Sequence, residues 1–321
     1  MAKKTKVWLL IGAALILAGC MIFGGAMMGL GWDFTKLSTV KFETNTYDIP
    51  ESFRNISVVT DTADLAFVLA EDGKCVVVCR EFQNAKHRVR VKDDTLIVEP
   101  ETSRKWYDHI GIIFGSPEIT VYLPEDTYKA LAVKESTGRV EIPGSFSFDT
   151  IDISTDTGDV TNRASTSGRM RIKATTGGIR LEGISAGSLD LSVSTGKVNV
   201  QNITCDGELK VKVSTGGAEI ADVQCGSFAA TGDTGDLIMK NVVALGGMSI
   251  SRSTGDVKFE RCDASELYIE LNTGDVSGSL LSDKVFIAQS ETGRVNVPKS
   301  VTGGRCEITT DTGDIKIIVE K

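Results

Sequence analysis

The sequence predicts an all-β chain: a single-stranded β-helix, or β-solenoid, with 19–20-residue coils, preceded by one N-terminal transmembrane helix. Three observations predict it. A Thr-Gly pair recurs along the C-terminal two thirds, with glycines at Gly138, Gly158, Gly177, Gly196, Gly216, Gly235, Gly255, Gly274, Gly293 and Gly313, each 19 or 20 residues after the last. A period of that size signals one supersecondary unit stacked on the next. Aliphatic residues keep the same register: Val133, Ile153, Ile172, Leu191, Val211, Ala230, Ile250, Ile269, Ala288 and Ile308 lie five before the glycines, and Val140, Val160, Ile179, Val198, Ala218, Leu237, Val257, Val276, Val295 and Ile315 lie two after them. Finally, an uncharged stretch runs from Val7 to Trp32 behind Lys3, Lys4 and Lys6.

From the N-terminus, residues 1–6 read as a cytoplasmic tail and 7–32 as a signal-anchor helix crossing the cytoplasmic membrane, long enough for the hydrocarbon core. Lysines before it and Asp33 after it direct the C-terminal domain outward, and Trp8 and Trp32 suit the two interfaces. Leu17-Ala18-Gly19-Cys20 offers an alternative, a lipobox with lipidation at Cys20, but Met21-Ile22-Phe23 continues the apolar run beyond it. Residues 33–55, with Pro50, read as a juxtamembrane tether.

Residues 56–128 read as an irregular β cap of the same solenoid. Ser57-Val58-Val59 and Leu65-Ala66-Phe67-Val68 flank Thr60-Asp61-Thr62-Ala63-Asp64, a degenerate form of the later turns. An atypical terminal unit is expected where an open end would expose strand backbone and core. Arg104 to Pro117 carries the densest aromatic patch outside the membrane segment, including Trp106, Tyr107, His109 and Phe114. We read it as a hydrophobic plug over the solenoid end; the alternative is a ligand-binding loop.

Residues 129–321 are the regular repeats. Around each glycine, apolar and polar residues alternate with period two, as in Leu189, Leu191 and Val193 and then Val198 and Val200, which is a strand with one buried face. Each repeat reads as strand, Thr-Gly turn, strand and second turn, the last marked by Gly187-Ser188, Asp206-Gly207 or Gly226-Ser227. Glycine suits such corners because it reaches positive φ without a Cβ clash. One unit cannot bury its own inner face; stacking at about 4.8 Å per coil joins the aliphatic columns into a rod of roughly 45–50 Å.

Of the 321 residues 33 are glycine, 6 are proline and 6% are aromatic, which fits a thin interior lined by Val, Ile and Leu. The net charge of -8 argues against nucleic acid as a partner, since that needs concentrated Lys and Arg. Cys75 and Cys79, about 13 Å apart on one strand, cannot bridge each other. Cys205 and Cys225 occupy equivalent positions in adjacent coils, where they are close enough to pair and also suit a ladder of small buried residues. No nucleophile elbow, phosphate loop or paired metal-binding histidines appear, and the two histidines, His87 and His109, lie outside the repeats.

One acidic column invites a metal. Asp236, Asp256 and Asp275 directly follow turn glycines on consecutive coils, with Asp233 and Glu291 two before the turn glycines Gly235 and Gly293. Like charges about 5 Å apart repel unless they splay into water or a cation intervenes. Calcium, which takes several carboxylate and carbonyl oxygens, is the candidate cofactor; the rival reading is a solvated edge that keeps the rod soluble.

The chain resembles the putative-adhesin family of β-strand-repeat domains found in bacterial envelope proteins. The residues that carry the likeness are Asp156 to Val160, Ser253 to Val257 and Asp311 to Ile315, together with the layout from Ile56 through Leu96-Ile97-Val98 to Val121-Tyr122-Leu123-Pro124. The resemblance covers roughly residues 40–321; it implies an extracytoplasmic β-helix-like fold and no known reaction. The function expected is a non-catalytic, adhesin-like binding or structural protein of the cell surface, with cell-wall polymer or another envelope protein as partner. The alternatives are an accessory sensor of an envelope-stress system and a carbohydrate-active β-helix enzyme.

Overall fold

The computed structural model describes residues 2–37, 41–101 and 115–320. Helix Ala2–Gly29 leads the chain. Within its segment Lys6–Gly29 an 18-residue window has a mean hydropathy of 2.4 and none of that window is buried in the protein, so it is one helix long and apolar enough to cross a membrane.

The repeats form a stack of parallel coils. Val133, Ile153, Ile172, Leu191, Val211, Ala230, Ile250 and Ile269 are successive in-register partners, each no more than 3% exposed. Val140, Val160, Ile179, Val198, Ala218, Leu237, Val257 and Val276 form a second ladder on the other side of the turn. Both columns face the one continuous core. The Thr-Gly corner requires glycine on two grounds. Gly158 has φ +142, and a Cβ built on it would lie 1.6 Å from the carbonyl oxygen of Gly138 in the coil below.

Five successive coils also have a corner that the sequence reading missed. Six residues after the turn glycine the chain enters the left-handed region, at Gly183, Asn202, Asp222, Asn241 and Arg261, with φ of 52 to 66. Asn and Asp tolerate this conformation better than other side chains. The short side that follows holds a column of small residues, Ala186, Cys205, Cys225, Ala244 and Ala264. Cys205 and Cys225 are thus register neighbours with free thiols, packed as small apolar groups. Burial pushes the Cys225 thiol up to about 12.

At the N-terminal end, Asn55–Thr62 lies beside Thr127–Thr137 with Thr62 opposite Thr137, so Thr62-Ala63 stands where later coils have Thr-Gly. A further coil, Thr95–Pro100 and Glu118–Leu123, lies outside it. The parallel stack is then closed by antiparallel strands, Cys75–Phe82 against Glu118–Leu123 and His87–Lys92 against Thr95–Pro100. The expected tether over 33–55 needs correction here. Phe42–Ile49 is a strand, antiparallel to Cys75–Phe82, because Tyr47 and Ile49 alternate with exposed residues and pack on the core. The aromatic stretch from Arg104 to Phe114, His109 included, lies outside the described residues.

At the C-terminal end the coils do not follow chain order. Gly304–Thr312 pairs with Val257–Thr273 on one side, placing Ile308 on Ile269, and with Lys284–Thr292 on the other, placing Ala288 on Ile308. Ile315–Val319 likewise lies between Val276–Leu280 and Val295–Asn296. The last coil in sequence is therefore inserted, and the Gly293 coil is outermost. Burial gives the reason: Cys306, Ile308 and Ile315 are at most 1% exposed, whereas Val295 is 42% exposed and Ala288 only partly covered. The more apolar inner set takes the fully enclosed position.

Candidate functional site

Three features of the rod carry polar chemistry: the turn edge, a buried cluster under the N-terminal cap, and a basic cleft. On the turn edge, Asp236, Asp256 and Asp275 stack as the sequence suggests, but their oxygens are engaged. Asp236 Oδ1 accepts the Asp256 amide at 2.9 Å, Asp256 Oδ1 the Asp275 amide at 3.1 Å, Asp275 Oδ1 the Asp314 amide at 2.8 Å, and Asp314 Oδ1 the Arg294 amide at 2.8 Å. The Asp275 amide and then Lys258, 3.0 Å away, hold the Asp256 carboxyl below the usual carboxylate range. Each charge thus rests against the positive end of a peptide dipole, which offsets repulsion along the column.

The structure does not bring the other two predicted residues to this ladder. Asp233 is exposed, and Glu291, in the outermost coil, is separated from the Asp275 coil by the inserted Gly313 coil. Cys20 is exposed on the N-terminal helix. Asp256→Ala removes an accepted hydrogen bond and is expected to lower stability by about 0.5–1 kcal/mol in chemical denaturation. Asp256→Asn keeps the accepting oxygen and should cost less; equal losses would mean that the ladder bond is not what the residue contributes.

Under the cap, Glu81 is 1% exposed and accepts three hydrogen bonds, from Asn45 Nδ2 at 2.8 Å, the His87 amide at 2.7 Å and His87 Nδ1 at 2.7 Å. Nε2 lies 3.2 Å from the Thr60 hydroxyl and accepts its proton when the ring is neutral with Nδ1–H on Glu81. The order hydroxyl, imidazole, carboxylate is that of an activated nucleophile, but Thr60 is 1% exposed and meets no solvent. Donor atoms of Cys79, Glu81 and His87 lie within 4.8 Å of one another. Burial, and secondarily the charge of Glu81, pushes the Cys79 thiol up to about 12, away from the thiolate form a metal needs. The cluster ties cap to coil: Asn45 and Glu81 come from cap strands and Thr60 from the first coil. Sequence reading missed it because Glu81 and His87 meet across a strand connection that no periodicity specifies.

On the face beside the turn edge, a cleft of about 580 Å³ is lined by Arg139, Arg163, Arg180 and Lys197, with Glu141 and Asp159 among the acids. Arg163 is 3.2 Å from Glu182 and 3.7 Å from Glu141. Among the described residues, Arg139, Arg180 and Lys197 make no ion pair, and all three are exposed. The turn edge is therefore basic over its N-terminal coils and acidic over Asp236 to Asp314.

Comparison with known proteins adds the following. The family described as Toastrack DUF4097 matches residues 53–216 and again residues 204–321. No curated protein matches the chain. A solved structure of a putative adhesin from Parabacteroides merdae is 11% identical, with a TM-score of 0.49, covering 87% of this chain and 96% of its own. A putative lipid binding protein from Parabacteroides distasonis is 16% identical, with a TM-score of 0.47, covering 88% of this chain and 98% of its own. A putative adhesin from Bacteroides fragilis is 14% identical, with a TM-score of 0.40, covering 87% of this chain and 97% of its own.

Proposed function

Since the chain belongs to the Toastrack DUF4097 family, we propose that it is a membrane-anchored binding rod whose solenoid lies outside the cytoplasm and holds an anionic polymer of the cell envelope. Helix Ala2–Gly29 anchors it, with the lysine-flanked end inside. The observation that carries the reading is the cleft around Arg180. Three exposed cations that make no ion pair among the described residues, on a chain of net charge -8, gain no stabilisation from pairing there and repel one another. Such a cluster is explained by a ligand of opposite charge. Arg139 and Lys197 both directly follow a turn glycine, three coils or roughly 14 Å apart, with Arg180 in a coil between them, so a linear polyanion running along the rod would meet three cations over that length.

Binding gains here from charge complementarity, so affinity falls as salt rises. The test is co-sedimentation of the full-length chain, in detergent, with purified anionic wall polymer. Arg180→Glu with Lys197→Glu is expected to weaken binding about tenfold or more. Lys316→Glu, one such charge reversal on an exposed site at the acidic end, should leave it unaltered, and Arg180→Glu alone, its equal in charge, should weaken binding measurably. Equal binding by all these variants and the parent chain would remove the cleft from the function.

A further inference from the structure

The turn edge shows in its own side chains how an anionic oxygen is held there. Where an aspartate follows the turn residue, its carboxylate accepts the amide at the same position in the next coil along the rod. Asp64 Oδ1 takes the Arg139 amide at 2.8 Å and Asp159 Oδ1 the Gly178 amide at 2.7 Å. Asp236, Asp256, Asp275 and Asp314 do the same in the acidic run. Each contact is a charge-assisted bond from a backbone N–H to a carboxylate oxygen.

This ladder is interrupted at the basic cleft. The column reads Arg139, Asp159, Gly178, Lys197, Gly217 and Asp236, and Gly178, Lys197 and Gly217 offer no side-chain acceptor. Among the described residues, no hydrogen bond takes the amide of Lys197, Gly217 or Asp236. Backbone conformation does not account for the two glycines, since neither has a positive φ. Packing does not demand them either. A Cβ on Gly217 would make an ordinary contact, 3.4 Å from Asp236 O, and one on Gly178 would stand 3.3 Å from Asp159 Oδ1, tight by a few tenths of an ångström. What glycine does at these two positions is leave the next amide uncovered: that of Lys197 beside Gly178, and that of Asp236 beside Gly217. Lys197 lies between the two glycines in the stack, and Gly178, Arg180 and Lys197 all line the cleft.

We propose that Gly178 and Gly217 form two oxyanion seats, where one anionic oxygen of the ligand, from a phosphate or a carboxylate, takes the Lys197 amide and another takes the Asp236 amide, with the Lys197 ammonium between them. The inference rests on the cleft being the polyanion site, and adds that backbone donors hold the anionic groups together with the cations. The bound oxygens continue the ladder that Asp159 begins and Asp236 resumes. Repulsion along the column is no obstacle. Asp236, Asp256 and Asp275 already stack one per coil on amides, and at the seats Lys197 and Arg180 add positive charge. The seats are two coils apart, about 10 Å, and so take separate anionic groups of one polymer chain. A turn amide is a fixed donor, which gives the site a direction that a flexible lysine lacks.

Asparagine tests the seats without changing the charge. In Gly178→Asn with Gly217→Asn, the side-chain oxygen accepts the next amide as the aspartates do and so covers the seat. Gly178→Ala with Gly217→Ala adds the same Cβ and covers nothing. The full-length chain in detergent is co-sedimented with a glycerol-phosphate polymer and, in parallel, with polygalacturonate, whose charges are phosphodiester and carboxylate. The asparagine pair is expected to bind about tenfold more weakly and the alanine pair as the parent does. The polymer that shows the loss identifies the oxyanion. Melting reads the seats with no polymer present: the asparagine pair should exceed the alanine pair in Tm by about 2 °C or more, because two amides gain an acceptor. The proposal is overturned if the asparagine pair binds both polymers as the parent does, if the alanine pair loses as much, or if the asparagine pair melts no higher than the alanine pair. Loss with Arg180→Glu and Lys197→Glu but none with the asparagine pair would keep the cleft and strike the seats alone. A parent chain that binds neither polymer would overturn seats and cleft together.

Discussion

Gly158→Ala is expected to destabilise the rod by about 3 kcal/mol or more, the larger of the single-residue effects foreseen here. Two costs combine. At φ +142 an L side chain is strained wherever it sits. The added methyl also meets backbone, Gly138 O at 1.6 Å, which cannot rotate away as a side chain would. Relief requires the two coils to separate at this corner, and that breaks the bond from the Gly138 amide to Thr157 O, 3.0 Å long. Gly183→Ala is the contrast: φ is +66, but nothing lies within 4 Å of the added Cβ, so only the backbone term of about 1 kcal/mol applies. Solenoid stability is a sum of coil and interface terms, so the loss should appear first as faster hydrogen exchange in the coils flanking Gly158. Equal midpoints for the two variants in chemical denaturation would show that the close approach between coils is not what demands glycine at the Thr-Gly corner.

Much of this architecture is legible in the sequence, because the Thr-Gly corner has a steric requirement that only one residue meets and so leaves an unbroken column. The corner six residues later is also left-handed, but Gly183, Asn202, Asp222, Asn241 and Arg261 share no single residue type, and the column vanishes into ordinary surface variation. Buried Glu135 was available to a stricter reading. It continues the inward alternation Leu131, Val133, Glu135, and an acid on an apolar face is a signal in itself. Buried Arg252 is visible by the same rule. What sequence could not give is the neighbour of each coil. Every coil offers the same turn and the same aliphatic columns, so local pattern accepts the Gly293 coil and the Gly313 coil equally well beside Gly274. The choice is made by total burial, with Ile308 and Cys306 enclosed and Val295 left at the end. The separation of Glu291 from Asp275 follows from that choice.

The inserted coil gives the second large effect. Removing residues 304–321 from the full-length chain takes out a coil enclosed on both faces, not a terminal one. Lys284–Thr292 pairs with Gly304–Thr312, and Val295–Asn296 with Ile315–Val319; within the described residues these are the ladders that hold the outermost coil. The retained residues 284–296 should therefore lose hydrogen-exchange protection, although none of them has been deleted. Val257–Thr273 and Val276–Leu280 should lose protection on their exposed edge, because Ile269 gives up its contact with Ile308 and Val276 its contact with Ile315. A chain ending at residue 283 loses the same two coils cleanly and serves as the reference. The two truncations should match in protection over 257–280 and in thermal midpoint, the extra residues of the longer one adding nothing. Protection retained over 284–296 would mean that the Gly293 coil has moved into the vacated place on Ile269. Chain order would then be an acceptable packing for this end, and the burial argument for the insertion would not stand.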